Sequence, residues 1–166
     1  MSITIKNTKL LIKLNQEGKL ELVEPSEDIS ASYIIKSESH FESANILLKA
    51  GKLEESVSMS YYGMYHCLTA LLFRCGIKSE NHTASILLLK ELFNECKLAE
   101  LIGLGKKERI EKQYYTNFQL AESDCTEMIR KAESFILDCK KLIKQLNQGR
   151  ILQARQELRN FLENPA

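Results

Sequence analysis

Residues 53–75, LEESVSMSYYGMYHCLTALLFRC, run for more than twenty positions without a proline. Leu53, Val57, Tyr61, Met64, Leu68, Leu71 and Cys75 recur three and four apart, the spacing of one helix face. Tyr62, His66, Thr69 and Phe73 trace a second face, and Tyr61 and Tyr65 pair on an adjacent one. A helix that is apolar or aromatic on more than one side has to be enclosed by several neighbours. The rest of the chain must therefore supply elements that wrap one central helix.

The remaining sequence reads as helices. It has seven glycines, two prolines and no tryptophan, and few breakers favour a mostly helical chain. Ser26, after Pro25, is placed to cap a long helix, with Glu27 and Asp28 at the positive end of its dipole. Ile29, Tyr33, Ser37, Phe41, Ala44 and Leu48 give that helix one stripe, and Gly51 is its natural stop. Gly76 ends the central helix, and the polar turn Ser79–Thr83 offers several caps for a third core helix carrying Ile86, Leu87, Leu89, Leu92, Phe93 and Cys96. The segment Leu101–Gly105, with two glycines flanking a leucine, reads as a loop before a short charged helix from Lys106 to Tyr115. Ser123 or Asp124 starts another long helix, and Asp124 with Glu127 fits a capping box. Gly149 separates it from a last amphipathic segment, ILQARQELRNFL. Near the N-terminus, Leu10, Leu11 and Leu14 before Gly18 suit a short helix followed by an extended stretch, while KLELVE also suits a hairpin strand. The expected fold is all-α, an up-and-down bundle of four to five main helices. Residues 1–25 form an N-terminal extension, 26–147 the bundle, and 148–166 a C-terminal amphipathic helix packing on the bundle or on a partner.

Charge and cysteine usage exclude several classes. Lys+Arg is 23 and Asp+Glu is 22, so bulk charge does not suit coating nucleic acid, although a local basic patch is compatible. Arg130, Lys131, Lys140, Lys141, Lys144, Arg150, Arg155 and Arg159 gather late in the chain, as a solvated face or a contact for RNA or an acidic partner. Five widely spaced cysteines suit buried free thiols in a reducing compartment, not a disulfide framework or a zinc site. No apolar run reaches the ~18 residues of a membrane span, and the N-terminus lacks a signal-peptide pattern, so a cytoplasmic protein is expected. The three histidines lack metal-ligand spacing, and no phosphate-binding Gly loop or nucleophile elbow occurs; no metal or cofactor is expected.

The candidate functional residues are few. Tyr62 and His66 share a helix face and either satisfy one another within the core or line a cleft. His82, at a helix start, can bind an anion or stand solvated. His40 reads as a boundary residue of the first long helix. Arg109 can grip a phosphate with its planar fork, or pair with Glu108 or Glu111.

Three stretches together resemble a known family: HFESANILLKAGKLEESV, SYYGMYHCLTALLFRCGIKSENH and RIEKQYY. The chain, over roughly residues 30 to 146, is similar to the HEPN family of small helical bundles, the second stretch being close to its YYAMFHAARALLLREGIK run and the third to the R-x-x-A-D-Y segment of one branch. The resemblance implies a bundle that pairs into a homodimer. It also implies a metal-independent ribonuclease, a toxin, or the partner of a small nucleotidyltransferase. Nuclease members carry an arginine, four to six residues, then a histidine. Histidine moves the proton of the ribose 2′-OH and arginine stabilises the phosphorane. Here the fifth residue after Arg109 is Tyr114, the acidic position is Gln113, and no histidine follows His82. The resemblance thus implies binding of RNA, a nucleotide or a partner protein without efficient cleavage, and it allows pairing with a small nucleotidyltransferase as half of a toxin–antitoxin or defence-type pair. The alternatives are a metal-independent endoribonuclease using Arg109 and Tyr114, with Tyr62, His66 and His82 as binding residues, and a purely structural interaction module.

Overall fold

A computed structural model describes residues 5–114 and 120–163, the side chains of 5 and 112–114 excepted. In chain order the elements are α1 (Ile5–Gln16), β1 (Leu20–Leu22), α2 (Glu27–Lys49), α3 (Leu53–Arg74), β2 (Ile77–Ser79), α4 (His82–Phe93), α5 (Cys96–Tyr114), α6 (Glu122–Gln145) and α7 (Gln148–Glu163). The fold is all-α, with one two-stranded sheet among the described residues.

The central helix expected from residues 53–75 is α3. It packs along α2 and also meets α4, α5, α6 and β2. From Ser60 to Leu72 every residue of α3 is buried except Tyr62 and His66. That enclosure explains why no single apolar stripe describes the helix.

Small residues seat α2 against α3. Ser30, Ser37 and Ala44 are the buried positions of α2, each seven apart. Ser37 Oγ donates to the Gly63 carbonyl at 2.6 Å, and Ser56 Oγ donates to the Ala44 carbonyl at 2.7 Å. A Cβ at Gly63 would lie 3.3 Å from the Ser37 carbonyl oxygen and 3.4 Å from Ile136 Cδ1. Gly63 therefore trades about 1 kcal/mol of helix propensity for close backbone approach. Ile29, placed on the apolar stripe by spacing, is exposed instead.

The helix ends follow cap chemistry. Ser26 Oγ accepts from Ile29 N–H at 3.1 Å, and Asn81 Oδ1 accepts from Ala84 N–H at 3.0 Å. Gly51 turns the chain between α2 and α3 at φ +70°, in the left-handed region where a side chain is strained. The capping box expected of Asp124 and Glu127 is replaced by half a box: the helix begins at Glu122, and Asp124 Oδ2 accepts from Ala121 N–H at 3.3 Å. Ala121 has no side-chain oxygen to complete the box, although its carbonyl accepts from Asp124 N–H at 3.1 Å.

The loop expected at Leu101–Gly105 is instead the middle of α5. A Cβ at Gly105 would meet Met128 Cε at 2.7 Å, with Met64 Sδ and Tyr61 Cδ2 just beyond. This glycine lets α5 sit against α3 and α6, so it marks a packing contact and not a turn. The true break comes earlier, at Asn94, whose left-handed φ of 58° caps α4. Cys96, expected on the third core helix, opens α5 and is exposed, whereas Cys67, Cys75, Cys125 and Cys139 are buried free thiols.

The chain ends are tied to the bundle. Leu11, Leu14 and Leu20 join the same core as Ile151, Ala154 and Leu158 of α7, and α1 packs on α7, α4 and β1. The KLELVE strand does form, but it pairs antiparallel with β2 in the register Leu20↔Ser79, Glu21↔Lys78 and Leu22↔Ile77. Arg155 Nη1 donates to the carbonyls of Val23 (2.6 Å), Gly76 (2.9 Å) and Cys75 (3.2 Å). One guanidinium from α7 thus holds the ends of β1 and α3 together. Among the described residues no helix is long and apolar enough to cross a membrane.

Candidate functional site

The two half-buried positions on the inner stretch of α3, Tyr62 and His66, anchor the candidate site. Tyr62 and His66 lie one turn apart with ring centroids 6.2 Å from each other. Opposite them α2 presents Tyr33 and His40, two turns apart. His40 stands 4.8 Å from His66 and 5.9 Å from Tyr62, and Tyr33 stands 5.8 Å from His66 and 5.4 Å from Phe73. Five partly exposed rings therefore alternate between two antiparallel helices.

Arg109 comes from α5 to the Tyr62 end of this row. Its Nη1 donates to the Tyr62 hydroxyl at 2.7 Å, and its guanidinium carbon is 5.4 Å from the ring centres of both Tyr61 and Tyr62. Of the two carboxylates expected as alternative partners, Glu111 lies 3.6 Å from Lys107. Arg109 Nε is buried without a hydrogen-bond partner. The guanidinium thus carries a full positive charge against aromatic faces.

His82 enters from the first turn of α4. Its ring stacks closely on Tyr65, centroids 3.7 Å apart, and its Nδ1 lies 2.7 Å from the Tyr61 hydroxyl. Tyr61 is fully buried, and burial pushes its phenol well above the ordinary range, so it keeps its proton. The protonated Tyr61 hydroxyl donates to Nδ1, which puts the proton of neutral His82 on Nε2. Lys106, one turn before Arg109 on α5, donates to the Thr83 hydroxyl beside it.

Burial keeps these rings neutral. His66 is lowered to about 4 by burial and then by the neighbouring His40, Lys36 and His82. His82 is lowered to about 4 by burial and then by Arg109 and Lys106. His40 is lowered by burial and Lys36, and Lys106 by burial and Arg109. The Tyr62 carbonyl one turn back pulls His66 the other way, yet Nδ1 finds no acceptor or donor at hydrogen-bond geometry. The largest cause of each shift is burial, which penalises a charge of either sign and also raises the phenols of Tyr61 and Tyr65; the neighbouring cations add to it for the histidines and Lys106.

A cleft of about 290 Å³ opens beside the row, lined by Tyr33, Tyr65, His66, Phe73, Lys78 and His82 among others. A larger groove of about 460 Å³, between α1, α4 and α5, holds Cys96 but none of the candidate residues. No group of three or more metal-ligating side chains occurs among the described residues.

The sequence matches the HEPN domain over residues 30–142, well over half of the chain. The chain belongs to the HEPN family. Among curated relatives, a UPF0332 protein of Pyrococcus horikoshii is 33% identical over 81 residues, 49% of this chain and 51% of that protein. A UPF0332 protein of Thermotoga maritima is 26% identical over 113 residues, 65% of this chain and 86% of that protein. The chain thus spans about half the length of the first relative and most of the second.

The site draws together Tyr62, His66, His82 and Arg109, four candidates from three helices. Tyr114, the fifth, closes α5, and its side chain lies outside the described residues. Tyr33, His40, Tyr61 and Lys106 also belong to the cluster; spacing placed Tyr33 and Tyr61 on helix stripes, His40 at a helix boundary and Lys106 at the start of a charged helix. Tyr33 and His40 are seven apart, on one face of α2; that pair, read against Tyr62 and His66 on the next antiparallel helix, was the available signal.

Proposed function

We propose that this HEPN protein binds a phosphate-bearing ligand, RNA or a nucleotide, at Arg109, Lys106 and His82, without cleaving it efficiently. The observation that carries the reading is Arg109, a half-buried guanidinium on two tyrosine rings with its Nε left without a hydrogen-bond partner. A phosphate would balance its charge and accept from its fork. Lys106 and the Nε2–H of His82 stand beside it as further donors.

The histidines argue for binding over catalysis. A base with a pKa of about 4 holds a proton in only about one molecule in a thousand at pH 7, so it is a poor acid and a weak base there. The reading includes the associations that the family resemblance implies: a homodimer, and a small nucleotidyltransferase as partner in a toxin–antitoxin or defence-type pair. Light scattering tests the first and co-purification the second.

The direct test is fluorescence anisotropy with labelled RNA and nucleotide. Arg109→Ala is expected to weaken binding about tenfold or more, and the log–log salt slope should flatten by about 0.7 for the lost phosphate contact. Unchanged affinity in Arg109→Ala refutes the reading.

A second reading, a metal-independent endoribonuclease using Arg109 and Tyr114, is favoured by the convergence of Arg109 with His82 and the His66 row. RNA incubated with a chelator discriminates. Cleavage by the wild type that Arg109→Ala abolishes establishes the enzyme, and absent or equal cleavage removes it.

A further inference from the structure

We propose that Phe73, Tyr33, His66, His40 and Tyr62 form a stacking track for the unpaired bases of one RNA strand. The inference rests on the phosphate site at Arg109 and assigns the strand's bases to the groove between α2 and α3. Four features carry it.

The five rings are all partly exposed, although α3 buries nearly everything around them. Successive centroids are 5.4, 5.8, 4.8 and 5.9 Å apart, with planes inclined by 10°, 27°, 17° and 39°. Those are offset rings, unlike the closed Tyr65–His82 stack at 3.7 Å, so the row keeps aromatic surface for another π-face. From Tyr62 to Phe73 the row extends about 16 Å along α3 at 1.5 Å per residue. That length is several base spacings of about 3.4 Å and exceeds what one base covers.

Charge follows the row. Arg109 closes the Tyr62 end, and Lys36 Nζ sits 5.9 Å from the Tyr33 ring centre. Midway along α2, Glu38 is paired with Lys140; at the far end Lys78 sits between Glu21 (3.0 Å) and Glu80 (3.1 Å), and Arg74 pairs with Glu27, so the free positive charge lies toward the Tyr62 and Tyr33 part of the row. A strip of aromatic surface with cations alongside it, here Arg109 and Lys36, is the arrangement by which proteins hold single strands. A duplex hides its base faces in its own stack and offers only backbone and groove edges, so it cannot use such a strip.

The test uses the full chain and three probes: a labelled single-stranded oligo(A), the same strand in a duplex, and AMP. The wild type is expected to bind the single strand more tightly than either other probe. Tyr33→Leu and Phe73→Leu should each weaken the single strand about tenfold and leave the duplex unchanged, while Tyr33→Phe retains wild-type affinity. Equal affinity for strand and duplex, or for strand and AMP, overturns the track. So does full single-strand affinity in both leucine variants; if Arg109→Ala still weakens binding in that case, the phosphate site stands without the track. No binding of any probe removes both.

Discussion

Lowering the pH from 7 to 5 is expected to destabilise the fold by about 2–4 kcal/mol through two half-buried rings. His66 and His82 titrate at about 4 in the folded protein against an ordinary 6.5. Their folded values are depressed, so between these two values the unfolded chain binds protons that the native chain refuses. Stability is then complete above about pH 6.5 and falls as the pH drops toward 4. At pH 5 the full shift would be worth about 2 kcal/mol per ring. Partial exposure lowers that to about 1–2 kcal/mol each, and His40 adds in the same direction. The exposed carboxylates Glu17 and Glu127 are lowered by Lys19 and Lys131, so their protonation falls below this window. Urea unfolding midpoints at the two pH values measure the loss, and the double variant His66→Gln/His82→Gln should flatten it. An equal midpoint at both values, or an undiminished fall in the double variant, would refute the assignment of these rings as buried and neutral.

Two further outcomes follow from the packing. Gly63→Leu is expected to cost at least about 2 kcal/mol in urea unfolding, because its side chain must enter the Ser37–Phe41 backbone seam. Leu158→Ala should cost about 2–5 kcal/mol by the same measurement, since Leu158 is fully buried in the core it shares with α1 and α4; a surface-helix value below about 0.5 kcal/mol would contradict the packing of α7.

Much of the architecture was legible because helices advertise themselves by period. Ser26, Gly51 and Gly76 punctuate the sequence where they punctuate the chain, and the many-sided character of residues 53–75 foretold a central helix. Leu101–Gly105 was misread because a glycine looks the same in sequence whether it turns the backbone or admits a neighbour; only the position of Met128, Met64 and Tyr61 distinguishes these roles at Gly105. Tyr62 and His66 were legible as a pair through their four-residue spacing. Their meeting with His40, Tyr33 and Arg109 was not, because it depends on the register between helices, which is fixed by Ser37 against Gly63 and by Gly105 against Met128. Local periodicity says which face a residue occupies and is silent on what that face meets.

The Arg155 clamp has a consequence for the order in which the molecule is assembled. It joins α7 to Val23, Cys75 and Gly76, across sequence separations of 132, 80 and 79 residues. Closing so long a loop costs little more free energy than closing a short one, but it cannot happen until the far end exists. On the ribosome the helical hairpin of α2 and α3 can form early from local contacts, whereas β1 and the end of α3 gain their shared guanidinium only when the last helix has emerged. A nascent chain therefore carries its aromatic groove before it carries its lock, and completion of the fold waits on residue 155.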